Sequence, residues 1–189
     1  GDCLVTGCVP SKALIRAAHV AHEARNADRF GIETTVSVDF AQVMDRLRKT
    51  RAGIAHHDSA QGFADRGVHV LFGTARFTGP DTLDLDGRTV RFKRAVIATG
   101  ARPFVPPIPG IEDVGALTSD TLFELEESPN RVVVLGGGPI GCELGQALSR
   151  LGCGVTIVEM QPSLLPHDDP EAGRLIAEAL AEEGVTVRT

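Results

Sequence analysis

The chain lacks the marks of a nucleic-acid binder, a membrane protein or a zinc-stapled domain. Its 19 Lys and Arg are outnumbered by 25 Asp and Glu, for a formal net charge of −6. Acidic and basic residues interleave along the whole length, so no basic stripe exists to follow a phosphate backbone. No uncharged apolar run approaches the roughly 20 residues that a membrane-spanning helix needs. No stretch has signal-peptide anatomy. The chain opens Gly-Asp-Cys without an initiator Met and reads as an internal piece of a longer protein. Cysteines number only four, without an evident framework. That usage fits a reducing compartment, the cytoplasm, where a disulfide would be catalytic rather than structural.

What is present is concentrated at the start, in Gly1-Asp2-Cys3-Leu4-Val5-Thr6-Gly7-Cys8-Val9-Pro10-Ser11-Lys12. Pro10 and Ser11 open a helical run to about Ala27, with Leu14, Ala17, Ala18 and Ala21 on one face. Cys8 therefore stands beside a helix N-terminus, where free N–H groups and the macrodipole favour a thiolate. Gly7 lets the backbone turn between the two sulfurs. The spacing suits a reversible disulfide. It is also compatible with a structural disulfide, half a zinc site, or two unrelated buried thiols. Zinc usually takes two close ligand pairs, and Cys142 and Cys153 supply no matching pair; both are expected to pack as small apolar residues.

With 189 residues, 42% of them hydrophobic, the chain can build one domain or two modest ones. Gly31 closes the first region. Asp39 is the expected N-cap of a second long helix, carrying Phe40, Val43, Met44, Leu47 and Ile54 on one face and running to about Ala64. His56-His57-Asp58 would lie on that helix as polar surface, because neighbouring helical residues point about 100° apart. Strands are expected at 68–72, 75–77, 82–85 and 89–92, with Asp86-Gly87 as a hairpin turn. Ala95-Val96-Ile97-Ala98 is continuous and apolar, as in a buried parallel strand. Four prolines from Pro103 to Pro109 make a stiff connector ending at Gly110, the best domain boundary in the chain. A short helix capped by Ser119 or Asp120 is expected beyond it.

Arg131–Leu135 then reads as a buried strand feeding Gly136-Gly137-Gly138-Pro139-Ile140-Gly141 and a helix. Gly136, Gly138 and Gly141 fit the dinucleotide pattern: the first makes the turn, the second admits pyrophosphate, the third packs helix on strand. A second strand, 155–158, ends at Glu159, placed to accept hydrogen bonds from an adenosine ribose. A carboxylate repels a 2′-phosphate, and no Lys or Arg occurs between Met160 and Gly173. NADH is therefore expected over NADPH. His167-Asp168-Asp169 reads as loop and cap before a helix over about 170–183, and 185–187 as a third strand.

The run Gly-x-Cys-(four residues)-Cys-Val-Pro-Ser-Lys resembles the active-site signature of the class I pyridine nucleotide–disulfide oxidoreductases, in a mercuric-reductase-like or dihydrolipoamide-dehydrogenase-like branch. The resemblance implies that Cys3 exchanges with substrate, that Cys8 is the charge-transfer thiol facing the flavin, and that Lys12 lies near the flavin ring. It implies that Thr99 and Gly100, closing a strand in Ala-Thr-Gly, form a second FAD motif. Ala75, in Phe72-Gly73-Thr74-Ala75-Arg76-Phe77, would touch the flavin adenine through its backbone. Glu143 matches a glutamate that can pair with the active-site lysine.

The implied fold is α/β, with two Rossmann-like domains, the NAD domain inserted in the FAD domain and both incomplete: a partial FAD-binding domain over 1–117 and a partial NAD(P)-binding domain over 118–189. The first flavin strand would precede Gly1, and the rest of the NAD and FAD domains and a C-terminal interface domain would follow Thr189. The implied activity passes hydride from NADH through FAD to a Cys3–Cys8 disulfide. Electrons then go to a small-molecule or protein disulfide, or to a metal ion acceptor, in a homodimer. The alternative is a non-catalytic, nucleotide-binding redox-sensing module.

Overall fold

The computed structural model describes residues 1–189. A short helix, α1 (Asp2–Val5), and a long one, α2 (Cys8–Arg25), meet at Gly7. Gly7 is the N-cap of α2, so Cys8 rather than Ser11 is its first residue. Pro10 sits one turn in, where its missing N–H costs no intrahelical bond. A 3-10 turn (Ala27–Phe30) follows and stops at Gly31 with φ 75°, a left-handed conformation that glycine adopts at no steric cost.

Helix α3 (Phe40–Ala55) starts where expected, with the Asp39 side chain accepting from the Gln42 N–H. It does not reach Ala64. The chain breaks at His56–Ser59 and restarts as α4 (Ala60–Ala64). One hydroxyl accounts for the break. Ser59 Oγ donates to the His56 carbonyl at 2.8 Å and accepts the Gly62 N–H at 3.0 Å, serving both helix ends at once. His56-His57-Asp58 therefore occupies an exposed turn, not a helix face.

Strands β1 (Ala75–Gly79), β2 (Thr82–Leu85) and β3 (Arg88–Arg91) form an antiparallel sheet. Asp86 and Gly87, with φ 49° and 86°, make the β2–β3 turn. Two expected strands do not form. Val68–Phe72 pairs with no strand, and Ala95–Ala98 leaves Val96 90% and Ile97 74% exposed. A strand exists only through hydrogen bonds to a neighbour, and no neighbour runs beside either segment. After the proline connector, a 3-10 turn (Ile111–Val114) leads to α5 (Ser119–Leu122). The cap of α5 is Thr118, not Ser119 or Asp120: its hydroxyl accepts from Asp120 N–H, and the Thr121 hydroxyl accepts from Thr118 N–H.

The last third is a right-ordered dinucleotide unit. β4 (Arg131–Leu135), α6 (Pro139–Arg150), β5 (Gly154–Val158), α7 (Pro170–Glu182) and β6 (Thr186–Arg188) give a parallel sheet in the order β4-β5-β6. Val133 pairs with Thr156 and Ile157 with Val187. β4 is not buried on both faces. Val132 and Val134 turn toward the helices, while Val133 and Leu135 are 63% and 49% exposed. Ile157 is fully buried at the sheet centre, a burial worth about 2–3 kcal/mol.

A single core cluster joins Leu14 and Ala18 of α2, Met44 and Leu47 of α3, Ala147 and Leu148 of α6, and Ile157 of β5. Helix α2 thus packs directly on α6, and this contact places the cysteine pair relative to the glycine loop.

Candidate active site

Gly7 makes the cysteine turn possible. A Cβ at that position would stand 2.9 Å from the Asp2 carbonyl oxygen, a backbone atom that cannot step aside. With that turn closed, Cys3 on α1 and Cys8 at the start of α2 are both exposed, free thiols. The Cys3 thiol is held above its ordinary range. The main cause is its hydrogen bond to the Cys8 sulfur, followed by desolvation and the charge of Cys8; Asp58 adds a smaller push the same way. Two exposed free thiols on either side of one tight turn are the groups a reversible disulfide needs.

Helix α3 braces this turn. Arg51 Nη1 donates to the Val5 carbonyl at 3.1 Å and to Glu124 Oε1 at 2.7 Å. That bond from Arg51 holds the Glu124 carboxyl below its usual range. Gly100, φ 72°, lies against α1: a Cβ there would come 3.1 Å from Asp2 Oδ2. The exposed end of the Ala-Thr-Gly segment therefore sits beside the cysteine turn, with Thr99 next to it.

Lys12 is one turn beyond Cys8. Its Nζ meets Glu143 Oε2 of α6 at 2.5 Å. Both side chains are about half exposed, so the pair adds on the order of 0–1 kcal/mol to stability. Its consequence is placement, since it spans from the redox helix to the helix that starts at the glycine loop. Ala75 opens β1, opposite Leu85, in the antiparallel sheet; the structure does not bring it into the cysteine cluster.

In the glycine loop, Gly136 has φ 108° and its N–H donates to the Val158 carbonyl at 2.8 Å. A Cβ on Gly141 would lie 2.1 Å from the Gly136 oxygen, so the helix can start this close to the strand only with glycine. Nothing approaches the Cβ position of Gly138, which leaves the space before α6 open. Gly138 is the N-cap, with no side chain capping it and Pro139 following at the first helical position. The Ile140 and Gly141 N–H groups thus face that space without intrahelical partners, as anion sites at helix starts require. Gly137, outside the three-glycine pattern, is also constrained: a Cβ would meet Leu164 Cδ2 at 2.4 Å and Glu159 Cβ at 3.1 Å.

Glu159 is tied into the same loop. Oε2 accepts the Gly137 N–H at 2.7 Å and Oε1 the Gln161 N–H at 2.8 Å. The Gln161 and Gly137 bonds hold its carboxyl below the usual range. Each oxygen keeps a second lone pair for a ligand hydroxyl. Cys142 and Cys153 are buried as expected; the Cys142 thiol donates to the Gly137 carbonyl at 3.4 Å, and burial raises its pKa. No group of three or more His, Cys, Asp or Glu is arranged to hold a metal ion.

Sequence reasoning missed Asp2, Arg51 and Asp58. All three act on the cysteine turn from segments distant in sequence or, for Asp2, through a backbone contact. Gly145 was also missed. Four positions after Gly141, it would place a Cβ 3.1 Å from Ile157 Cδ1, and that helical spacing was the available signal.

A family model described as pyridine nucleotide-disulphide oxidoreductase matches residues 1–189. The mercuric reductase of Bacillus cereus is 37% identical over 190 residues, covering 100% of this chain and 30% of its own length. The dihydrolipoyl dehydrogenase of Thermus scotoductus is 37% identical over 199 residues, covering 100% of this chain and 41% of its own. Among solved structures, the HOCl-induced flavoprotein disulfide reductase RclA from Escherichia coli superposes with a TM-score of 0.77 at 30% identity, over 99% of this chain and 40% of that one. A Cu(II) complex of the same reductase matches with the same TM-score. The chain thus spans well under half the length of these relatives.

Proposed function

Because the chain belongs to the pyridine nucleotide-disulphide oxidoreductase family, we propose that it forms the thiol-bearing and nucleotide-binding parts of an NADH-dependent flavoprotein that reduces a disulfide or a metal ion. The observation that carries this reading is the Lys12–Glu143 bridge. It joins the helix that carries Cys8 to the helix that follows the glycine loop. A nucleotide-sensing module would have no need of that link.

The residues present fit FAD. Gly100 provides a backbone cradle against Asp2 beside the cysteine turn, and the Cys8, Lys12 and Thr99 side chains are exposed. Ala75 would add a backbone contact farther along the cofactor. When bound, FAD supplies the two-electron relay between nicotinamide and sulfur.

This chain's own part is as follows. Gly138, Ile140 and Gly141 hold the pyrophosphate of NADH at the start of α6, with Gly136, Gly137 and Pro139 shaping the loop. Glu159 accepts from the adenosine ribose and disfavours a 2′-phosphate. Lys12, steadied by Glu143, places a positive charge where reduction brings negative charge. The Cys3–Cys8 disulfide accepts two electrons and two protons, giving the dithiol. Cys3 as thiolate then attacks one sulfur of the acceptor disulfide; that S–S bond breaks, and the leaving thiolate takes a proton. Cys8 next attacks Cys3 in the mixed disulfide, releasing the second thiol and closing Cys3–Cys8 again. With a metal ion as acceptor, the same dithiol would bind the ion and deliver the electron pair.

Residues 1–117 would belong to the FAD domain and 118–189 to the NAD domain of a cytoplasmic homodimer. The shared α2–α6 core supports a rigid junction between them. The direct test is thiol trapping in the holoenzyme: anaerobic NADH followed by alkylation and mass spectrometry. Two new alkylation sites, at Cys3 and Cys8, are expected. Bound NADH with no new thiol would favour the redox-sensing module instead.

A further inference from the structure

Cys3 and Cys8 stand on unequal footings. Cys8 opens an 18-residue helix with five buried residues, whereas Cys3 lies on α1, a four-residue turn with none. So short a helix does not persist on its own. Its amide bonds lie at the long end of the normal range: the Leu4 and Val5 N–H groups both donate to the Gly1 carbonyl, at 3.2 Å each. One hydrogen bond reaches α1 from beyond the cysteine turn. Arg51 Nη1 of α3 donates to the carbonyl of Val5, the last residue of α1, at 3.1 Å, at the end where a helix leaves its carbonyls without intrahelical partners. The same nitrogen donates to Glu124 Oε1 at 2.7 Å. Both supports of this link are anchored. On α3, Met44 and Leu47 are buried. Next to Glu124, Phe123 belongs to the same core, and Arg48, one turn before Arg51, donates to the Leu125 carbonyl at 3.4 Å. The Arg51 side chain itself is 20% exposed.

We propose that Arg51 is the positioning residue for Cys3: with Glu124 it forms a strut that keeps α1 folded against the start of α2, and so sets how strongly the Cys3–Cys8 pair favours the disulfide. The inference rests on the disulfide-reductase reading above and adds to it the group that tunes its thiol pair. A disulfide closes only with its two Cα atoms within about 4.4–6.8 Å, and in the dithiol no covalent bond keeps them there. Where α1 frays, closure has to order it again, and the entropy lost opposes the disulfide. An α1 already held by Arg51 spares closure that loss. The bond from a guanidinium to a carbonyl is charge-assisted, and its removal corresponds to about tenfold in an equilibrium. Glu124 acts one step back, aiming the guanidinium and offsetting its charge. Because both bonds leave one nitrogen, a lysine ammonium with its three donors can take over the pair. Glu124 also belongs to the part proposed to bind NADH, so the strut ties the thiol turn to that part.

The test is the dithiol–disulfide equilibrium of the full-length holoenzyme in anaerobic buffers of reduced and oxidised dithiothreitol, read by alkylation and mass spectrometry. In that exchange the Cys3–Cys8 disulfide takes two electrons and two protons from dithiothreitol, whose own thiols close into a cyclic disulfide. Arg51→Ala should shift the equilibrium about tenfold toward the dithiol, a rise of about 30 mV in potential. Glu124→Ala should shift it about threefold the same way, and Arg51→Lys by less than about threefold. A merely structural role for Arg51 would lower the midpoint of chemical denaturation without moving this equilibrium. An unmoved equilibrium in Arg51→Ala would overturn the strut, as would an unmoved one in Glu124→Ala where Arg51→Ala does not fold. A shift in Arg51→Lys as large as in Arg51→Ala would overturn it too. Each of these outcomes leaves the reductase reading intact. A wild-type holoenzyme in which Cys3 and Cys8 form no disulfide at any buffer ratio would overturn both.

Discussion

The neighbouring Cys8 thiol pushes the Cys3 thiol above its ordinary range. The thiol reactivity of Cys3 should therefore develop only at a pH above the ordinary thiol range. Its raised pKa means the protonated form persists as pH climbs, and the nucleophilic thiolate appears late. Cys8→Ala removes the leading cause, so the midpoint of the Cys3 alkylation rate against pH should move down toward the ordinary value. Asp58→Asn should move it the same way by less. An unmoved midpoint in Cys8→Ala would mean that the two sulfurs do not share a proton. The two cysteines were legible because five residues, a glycine and a helix start carry the whole geometry. Asp58 was not, since its influence depends on a turn 55 residues from Cys3 being folded against it.

Among the elements, the contact between α2, α6 and α7 has its own device. Arg150 Nε and Nη2 donate to the two oxygens of Glu183 at 2.6 Å each, Gln146 adds a bond at 3.0 Å, and His22 of α2 lies 3.9 Å away. The Glu183 side chain is 15% exposed. Burial is the largest single influence and pushes its carboxyl up, but Arg150, with His22 and Gln146, together make the net shift downward. A depressed folded-state pKa contributes stability above the unfolded value and loses it as pH falls through the folded one. Glu183→Ala should cost about 2–3 kcal/mol at neutral pH and clearly less in acid, as chemical denaturation at both pH values would show. An equal cost at both would mean that the carboxylate is not ionised in the fold. At this scale the dinucleotide unit was readable, because β4, the glycine loop, α6 and β5 each carry a local signal. The segments 68–72 and 95–98 misled for the opposite reason. Their apolar runs report what a strand would bury, while pairing depends on a partner that no local pattern announces. The break after α3 turned on one serine hydroxyl serving two helix ends.

For the whole molecule, the motifs were legible in order but their meeting was not. Sequence pattern placed the cysteines at one end of the chain and the glycine loop more than a hundred residues on. Only the packing of Leu14 and Ala18 with Ala147 and Leu148 shows that α2 rests on α6. The Lys12–Glu143 bridge sits on that contact, and the proposed electron transfer between nucleotide and sulfur would run across it. The central claim is tested by anaerobic titration of the full-length flavoprotein with NADH, following its absorbance, beside Cys8→Ser and a parallel titration with NADPH. The account predicts a long-wavelength band that appears on reduction, vanishes in Cys8→Ser, and is reached more readily with NADH than with NADPH. Flavin bleaching without that band, unchanged in Cys8→Ser, would contradict it and leave the two thiols idle.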